Sequence, residues 1–418
     1  MRITRWDIRK IQVVWEVAVG MSGLIVHEWV EQHGGAERVL DGLVAAFPDA
    51  EILCLWNDSP RRFQDSNIRE TWLARSRLRG RKAALLPIMP FFWRSVDIAP
   101  YEWVVVSSHM FAHHVGASAQ RARVPVFAYV HTPARYVWDA DIDQRGQGLH
   151  ARIAARALKR LDIARAQETA EYAANSDYVA GRILRYWGQE SRVIHPPVDV
   201  EVIKAGTPWE EKLNPDDRRT IDALPESFVL GASRLVPYKR IDHVIEFADK
   251  LNSAVVIAGG GPERQTLEDR ARKAGVDATF LGRVSDELLY ALYERAKLYV
   301  FPAIEDFGIM PIEAIALGTP VVVNELGGAA ETVRATGGGV CTDFGSDMNA
   351  ANLARMTVGL NMKMASDATE IYSRRRFVDE VRLWIKHPDR RESNPSSPPS
   401  SGHDPSYRSS APQGRGPV

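Results

Sequence analysis

The chain has 418 residues, 45% of them hydrophobic and 25% charged, a length that suits two globular domains rather than one small binding module. Its 53 Lys plus Arg balance 53 Asp plus Glu, so no net positive field gathers nucleic acid or membrane, and any such attraction must be local. Two cysteines, Cys54 and Cys341, build neither a disulfide framework nor a four-cysteine zinc site, and no apolar run approaches the ~20 residues that span a bilayer. The expected product is cytoplasmic, either free or held at the membrane surface.

Residues 1–20 carry Asp7 and Glu16 and lack a continuous apolar core, so they read as an N-terminal extension rather than a signal peptide, with Met21 as an alternative start. Short apolar runs predict strands at 24–26, 51–55, 103–107, 126–130, 172–175 and 192–194, separated by helices or long loops. They make a first doubly wound domain over 21–198, and Pro196, Pro197, Val198 and Asp199 mark a hinge near 197–200. The pattern is cleaner further on. A strand at 228–233 precedes a helical face of Ile241, Val244, Ile245, Ala248 and Leu251, and strands follow at 254–258, 278–281, 298–301 and 320–323. This second domain covers 199–369. Beyond it, 18 of the 32 residues in 387–418 are Pro, Ser or Gly, the composition of a disordered tail. The expected fold class is α/β, two facing Rossmann-like domains with a crevice at the carboxyl ends of both sheets.

Chemistry in such a fold belongs to the loops that follow strands. Gly34 and Gly35 precede a helix, where free backbone N–H groups meet a phosphate or sugar, although a plain tight turn explains them equally well. Arg234 and Lys239 follow the strand at 228–233 and would offset the charge of a diphosphate; the alternative is a solvated basic loop. Gly259, Gly260 and Gly261 permit close backbone approach, but Pro262 and Arg264 break the dinucleotide fingerprint and disfavour a nicotinamide dehydrogenase. After the strand at 298–301, Glu305 and Glu313 stand eight positions apart around Phe307, Gly308 and Ile309, with Pro311 suited to begin a helix. Such amides meet phosphate oxygens and such carboxylates accept sugar hydroxyls. His131 follows the strand at 126–130; a lone histidine there is as readily structural. No His and Cys cluster in the sequence signals a metal, and no G-x-S-x-G elbow signals a serine hydrolase.

Taken together, HEWVEQHGGAERVL, VHTPARYVWD, PPVD, SRLVPYKRID, GGGPE, FLGRVSDELLYALY and EDFGIMPIEAIALGTPVV run in order over about 22–386. The set resembles the family-4 retaining glycosyltransferases of the GT-B fold, nearest to bacterial mannosyl- and related transferases that build O-antigen and exopolysaccharide. Glu305 and Glu313 stand where that family has its E-x7-E motif. The resemblance implies transfer of a sugar from a nucleotide-diphosphate sugar, with GDP-mannose the first choice of donor, to a sugar or polyprenyl-diphosphate-linked acceptor, with anomeric configuration retained and no metal required. It implies that Arg234 and Lys239 hold the diphosphate, Glu313 the ribose and Glu305 the donor sugar hydroxyls. His131 would meet the sugar near its reacting carbon, and Gly34 and Gly35 would line the diphosphate or acceptor side. Amides at Phe307, Gly308 and Ile309 would complete the phosphate cradle, and Gly282, Arg283 and Val284 would lie near the base. Residues 370–386 match the family's final helix, which crosses back to the first domain.

One segment is strongly polarised. From 75 to 96 there are six cations (Arg75, Arg77, Arg79, Arg81, Lys82 and Arg94), no acid, and the apolar residues Leu85, Leu86, Ile88, Met89, Phe91, Phe92 and Trp93. It reads either as a face for anionic lipid, where an acceptor would be presented, or as helices packed into the first domain with solvated arginines. Two further functions stay open beside transfer: a GT-B-fold epimerase or phosphorylase, and a catalytically silent subunit that binds a nucleotide sugar.

Overall fold

The structure, a computed structural model, describes residues 23–386 apart from 33, 139–148 and 346. The extension expected over 1–20, the start at Met21 and the tail 387–418 lie outside the described residues.

Two parallel sheets form the frame. The first contains β1 (Gly23–His27), β2 (Glu51–Cys54), β3 (Ile68–Glu70), β4 (Trp103–Ser108), β5 (Val126–Val130), β6 (Glu171–Ala174) and β7 (Arg192–Val193), in the order β3-β2-β1-β4-β5-β6-β7. The second contains β8 (Phe228–Ala232), β9 (Ala254–Ala258), β10 (Ala278–Gly282), β11 (Leu298–Phe301), β12 (Val321–Asn324) and β13 (Gly339–Thr342), in the order β10-β9-β8-β11-β12-β13. Helices cover both faces, so the central strands β1, β4, β5 and β8 are buried along their whole length and read as near-continuous Val, Ile and Leu runs. Eleven strands match the sequence expectation to within one residue at each end. The two unpredicted ones, β3 and β13, are edge strands with half-buried or exposed side chains, so neither carries the apolar run that marks a covered strand.

Helix Arg374–Lys386 returns to the first sheet and buries Phe377, Val381, Trp384 and Ile385 against Val39, Leu43, Phe127 and Tyr129. Its approach to helix Gly35–Ala46 requires a glycine: a Cβ on Gly42 would lie 2.5 Å from the Phe377 ring. The Trp384 indole N–H donates to Glu171 Oε2 at 2.9 Å, and burial of a tryptophan of this kind is worth about 3–5 kcal/mol against alanine. The chain thus crosses between the sheets twice, and the two crossings lie side by side, with the Val198 amide donating to the Tyr372 carbonyl at 2.8 Å.

Strand order reverses between β1 and β4 in the first sheet and between β8 and β11 in the second. At such a reversal the loops leave in opposite directions and open a crevice, which is where ligands bind in open α/β sheets.

Candidate active site

On the second sheet, Arg234 and Lys239 leave the end of β8, while Glu305 leaves the end of β11, so the three flank the reversal. Lys239 Nζ lies 2.5 Å from Glu305 Oε1, with the two side chains 12% and 22% exposed. Arg234 is exposed, and its guanidinium donates to the Tyr238 hydroxyl at 2.5 Å; the same Tyr238 ring lies 5.4 Å under the Lys239 ammonium. Both expected cations therefore meet around one tyrosine.

The loop beyond Glu305 is held by close backbone approach. A Cβ on Gly327 would sit 2.6 Å from the Glu305 carbonyl, and the Gly328 amide donates to that carbonyl at 2.9 Å. Gly308 has φ of 99°, left-handed backbone that glycine adopts freely, and it caps helix Ile309–Ala316. The helix begins at Ile309, two residues earlier than Pro311 predicts. Proline is tolerated there because the first-turn amides have no helical acceptor in any case. The amides of Phe307, Gly308 and Ile309 find no acceptor among the described residues, so they remain available to a ligand at this helix start.

Glu313 consequently lies in the second turn of this helix and is buried, not in the first turn as expected. Burial pushes its carboxyl above the ordinary range, and the Arg38 guanidinium, donating to Oε1 at 2.8 Å, works against that rise. Gly282, Arg283 and Val284 lie further out, where the Gly259 amide donates to the Gly282 carbonyl at 2.6 Å and the Arg283 stem passes Gly260. They line the side of the Gly259 turn rather than the Glu305 loop.

On the first sheet, Gly34 is the N-cap of helix Gly35–Ala46, and a Cβ on Gly35 would stand 3.5 Å from Ile309 Cδ1. The paired glycines thus face the Gly308–Ile309 turn across the crevice. His131 follows β5, with Nε2 2.8 Å from Ser107 Oγ, and that same oxygen lies 3.0 Å from His27 Nδ1. Burial, reinforced by His109 and His27, holds the His131 imidazole well below its ordinary range. His27 is lowered to about 4, chiefly by burial.

Side-chain ties among the described residues join the domains, and the sequence reading missed the three set out here. Asp306 accepts from Arg135 at 2.5 Å on one oxygen and from Arg182 at 2.6 Å on the other, and Arg182 also donates to Thr132 Oγ1 at 2.7 Å. The Asp306 carboxylate therefore fastens the loop carrying His131 to the loop carrying Glu305. Arg38 reaches Glu313, and the Glu331 carboxylate accepts from the Asp177 and Tyr178 amides at 2.8 and 2.6 Å. Asp306 and Arg135 adjoin motif residues and were legible by position, whereas Arg182, on helix Asp177–Trp187, has no local signal.

Among the described residues, one buried group, His113, His114 and Asp162, sets metal-ligand atoms within 4.8 Å of one another. Its carboxylate is already saturated. His113 Nε2 and His114 Nε2 approach Oδ1 at 3.1 and 2.9 Å, and the indole N–H groups of Trp138 and Trp187 donate to Oδ2 at 2.7 and 2.8 Å. Four donors on one carboxylate compensate its burial without an ion.

Segment 75–96 divides. Leu85, Met89 and Trp93 are core, while Arg79 pairs with Asp58 and Lys82 with Glu31, so the run is not an uncompensated basic face. Phe91 nevertheless stands 66% exposed and Ile88 40%, and Trp72, whose ring centroid lies 6.5 Å from that of Phe92, is 64% exposed. No helix among the described residues is long and apolar enough to cross a membrane.

Known proteins match both halves. Residues 33–202 match the family described as Glycosyltransferase Family 4, and residues 216–365 match Glycosyl transferases group 1. An uncharacterized glycosyltransferase of Methanocaldococcus jannaschii is 40% identical over 134 residues, which is 30% of this chain and 34% of that protein. A D-inositol 3-phosphate glycosyltransferase of Mycobacterium tuberculosis is 33% identical over 177 residues, 38% of this chain and 35% of that protein. The matched stretch thus spans about a third of the length of these curated relatives. Among solved structures, Anabaena HepE in complex with UDP has a TM-score of 0.65 at 18% identity, covering 87% of this chain and 99% of that one. The lipopolysaccharide outer core galactosyltransferase WaaB in its apo form has a TM-score of 0.63 at 14% identity, covering 87% and 99%. These two structures share the fold.

Proposed function

We propose that this chain, whose two halves match glycosyltransferase family models and whose fold is that of GT-B glycosyltransferase structures, moves a sugar from a nucleotide-diphosphate sugar to a polysaccharide or lipid-linked oligosaccharide acceptor with the anomeric configuration retained. The observation that carries this reading is the Lys239–Glu305 pair set beside the free amides of Phe307, Gly308 and Ile309 at the reversal of the second sheet. Two cations and three amides suit a diphosphate whose charge grows as the bond to the sugar breaks. In this reading Arg234 and Lys239 take the diphosphate, Glu305 the sugar hydroxyls, Glu313 the ribose and His131 the sugar near its reacting carbon. Gly34 and Gly35 let the first domain approach the phosphates, while Gly282, Arg283 and Val284 flank the base. Retention fits attack from the face of the leaving group, where the protein's part is to position both partners and exclude water. Closure of domains 21–198 and 199–369 about a hinge at 197–200 supplies that exclusion, with 370–386 belonging to the first domain.

The donor we assign first is GDP-mannose, from the resemblance of the motifs. A UDP-sugar is the second reading, favoured by the complex of HepE with UDP-glucose. For the acceptor, the exposed Phe91, Ile88 and Trp72, in the same stretch of chain as the exposed Arg75 and Arg77, suit an anionic membrane surface presenting a polyprenyl diphosphate at the inner face of the cell membrane. A thermal-shift panel of GDP, UDP and ADP with their sugars identifies the donor, since a ligand of the native state raises its stability. Glu305→Ala and Lys239→Ala are each expected to lower release of nucleotide diphosphate by ~10²-fold or more. Wild-type rates in both variants would overturn the assignment.

A further inference from the structure

The first sheet's reversal carries a group that the sequence motifs do not assign. β1 ends in His27 followed by Glu28, and β4 ends in Ser108 followed by His109, so Glu28 and His109 leave the two strands between which the order reverses. Glu28 is fully buried, and buried carboxylates are costly unless donors surround them. Here they do. Glu28 Oε1 accepts from the Met110 amide at 2.9 Å, the Ala112 amide at 3.0 Å and Ser108 Oγ at 3.2 Å, and Oε2 accepts from the His109 amide at 3.2 Å. Burial alone would raise this carboxyl; His109, His27 and the amides outweigh it and hold it below the ordinary glutamate range.

The same Oε2 lies 3.2 Å from His109 Nδ1. The angle falls short of a hydrogen bond, but a carboxylate at this distance favours the tautomer with its proton on Nδ1, which leaves Nε2 an acceptor. The ring is held edge-on by Trp29, with centroids 4.7 Å apart, and its side chain is 20% exposed. Its neighbours are committed differently: His27 Nδ1 and His131 Nε2 both turn to Ser107 Oγ, and His27 is fully buried. Among the described residues His109 Nε2 makes no hydrogen bond, and the buried Nδ1 is held by the nearby Glu28 charge alone. Its ring centroid is 6.2 Å from that of His131, a separation that lets one hydroxylated ligand touch both.

We infer that His109, braced by Glu28, receives the hydrogen bond of the acceptor's attacking hydroxyl and holds that oxygen beside the donor sugar. The inference rests on the glycosyltransferase reading. It assigns His131 to the donor side and His109 to the acceptor side of one histidine cluster, and it makes Glu28 a positioning residue that acts through His109. A buried acid and a cleft-facing imidazole at a strand-order reversal are otherwise an expensive way to finish two strands.

The test measures release of nucleotide diphosphate from the donor chosen by thermal shift, with octyl α-mannoside and octyl β-glucoside as surrogate acceptors and with water alone. His109→Ala is expected to lower release at least tenfold with each of these hydroxyl acceptors. The thermal shift given by GDP or UDP should stay that of the wild type. His109→Gln, whose amide oxygen can still accept a hydrogen bond, should recover part of the rate, and Glu28→Gln should raise the KM for the glycosides more than it lowers kcat. His109→Ala release within twofold of wild type would overturn the inference, as would a nucleotide shift lost in step with turnover in both His109 variants. A wild-type protein that turns over none of the donors would instead remove the glycosyltransferase reading, and this inference with it.

Discussion

The two strand-order reversals that face each other across the crevice are built from opposite materials. The second sheet offers Arg234, Lys239 and Glu305 on loops, partly exposed, together with backbone amides freed by a left-handed glycine. The first sheet offers His27, Glu28, Ser107 and Ser108, all buried and joined by hydrogen bonds that begin inside the strands. The contrast is one of charge management. In the proposed reading a diphosphate brings its own charge and is met by Arg234 and Lys239, of which Lys239 is already paired with Glu305. A neutral hydroxyl offers little binding energy, so the side that takes it must hold its groups rigid beforehand, and burial in hydrogen-bonded pairs does that.

The comparison breaks most readily where the two sides are fastened. Asp306 is 15% exposed and spans Arg135 and Arg182, so Asp306→Ala leaves two cations facing each other without a counter-charge. Truncating one partner of a largely buried charge pair costs about 2–5 kcal/mol. If closure is what unites the two halves, kcat/KM for transfer should fall by roughly 30-fold or more while the isolated domains keep their cores, so the melting temperature should move little. A melting temperature that collapses with activity would show that Asp306 stabilises the fold instead.

Arg38 and Glu313 give a smaller effect of the same kind. Arg38→Ala strands a buried carboxylate that burial already pushes upward, and its proton affinity should rise further. Nucleotide affinity is expected to drop by about tenfold, roughly 1.4 kcal/mol. Adding Glu313→Gln removes the orphaned charge, so the double variant should lose less than the sum of the singles, with a coupling of about 1–3 kcal/mol read from a double-mutant cycle. Additive losses would mean that the pair in the structure is not used in the nucleotide-bound state.

What the sequence made legible divides along the same line. Loop residues on the second sheet, from Arg234 to Glu313, stand next to covered strands in contiguous motifs, so period and position pointed to them. The acceptor-side group did not announce itself: Glu28 and His109 are 81 positions apart, and only the adjacency of β1 and β4 brings them together. Arg38 and Arg182 are ordinary helix residues until the second domain arrives against them. Strand β3 escaped notice because an edge strand with exposed Arg69 and Glu70 needs no apolar run. The helix at Ile309 began early because Gly308, not Pro311, sets its cap. Contacts of long sequence separation are invisible to periodicity.

Glu331 supplies the smallest and most selective test, since it ties the domains through backbone amides rather than a second charge. Burial raises its carboxyl to about 7, and the amides of Asp177 and Tyr178 only partly offset this. The folded value lies above the unfolded one, so the folded chain binds a proton more readily. Its contribution to stability is complete below the ordinary glutamate range and is lost as pH rises through about 7. With solvent still reaching the group, the effect should be on the order of 1 kcal/mol. Glu331→Gln holds the neutral form at every pH, so its melting temperature should match the wild type at pH 5 and exceed it by a few degrees at pH 8. Parallel curves from pH 5 to pH 8 would show that the carboxylate keeps its charge in the closed protein, and that the amide N–H groups at the start of helix Asp177–Trp187 outweigh its burial.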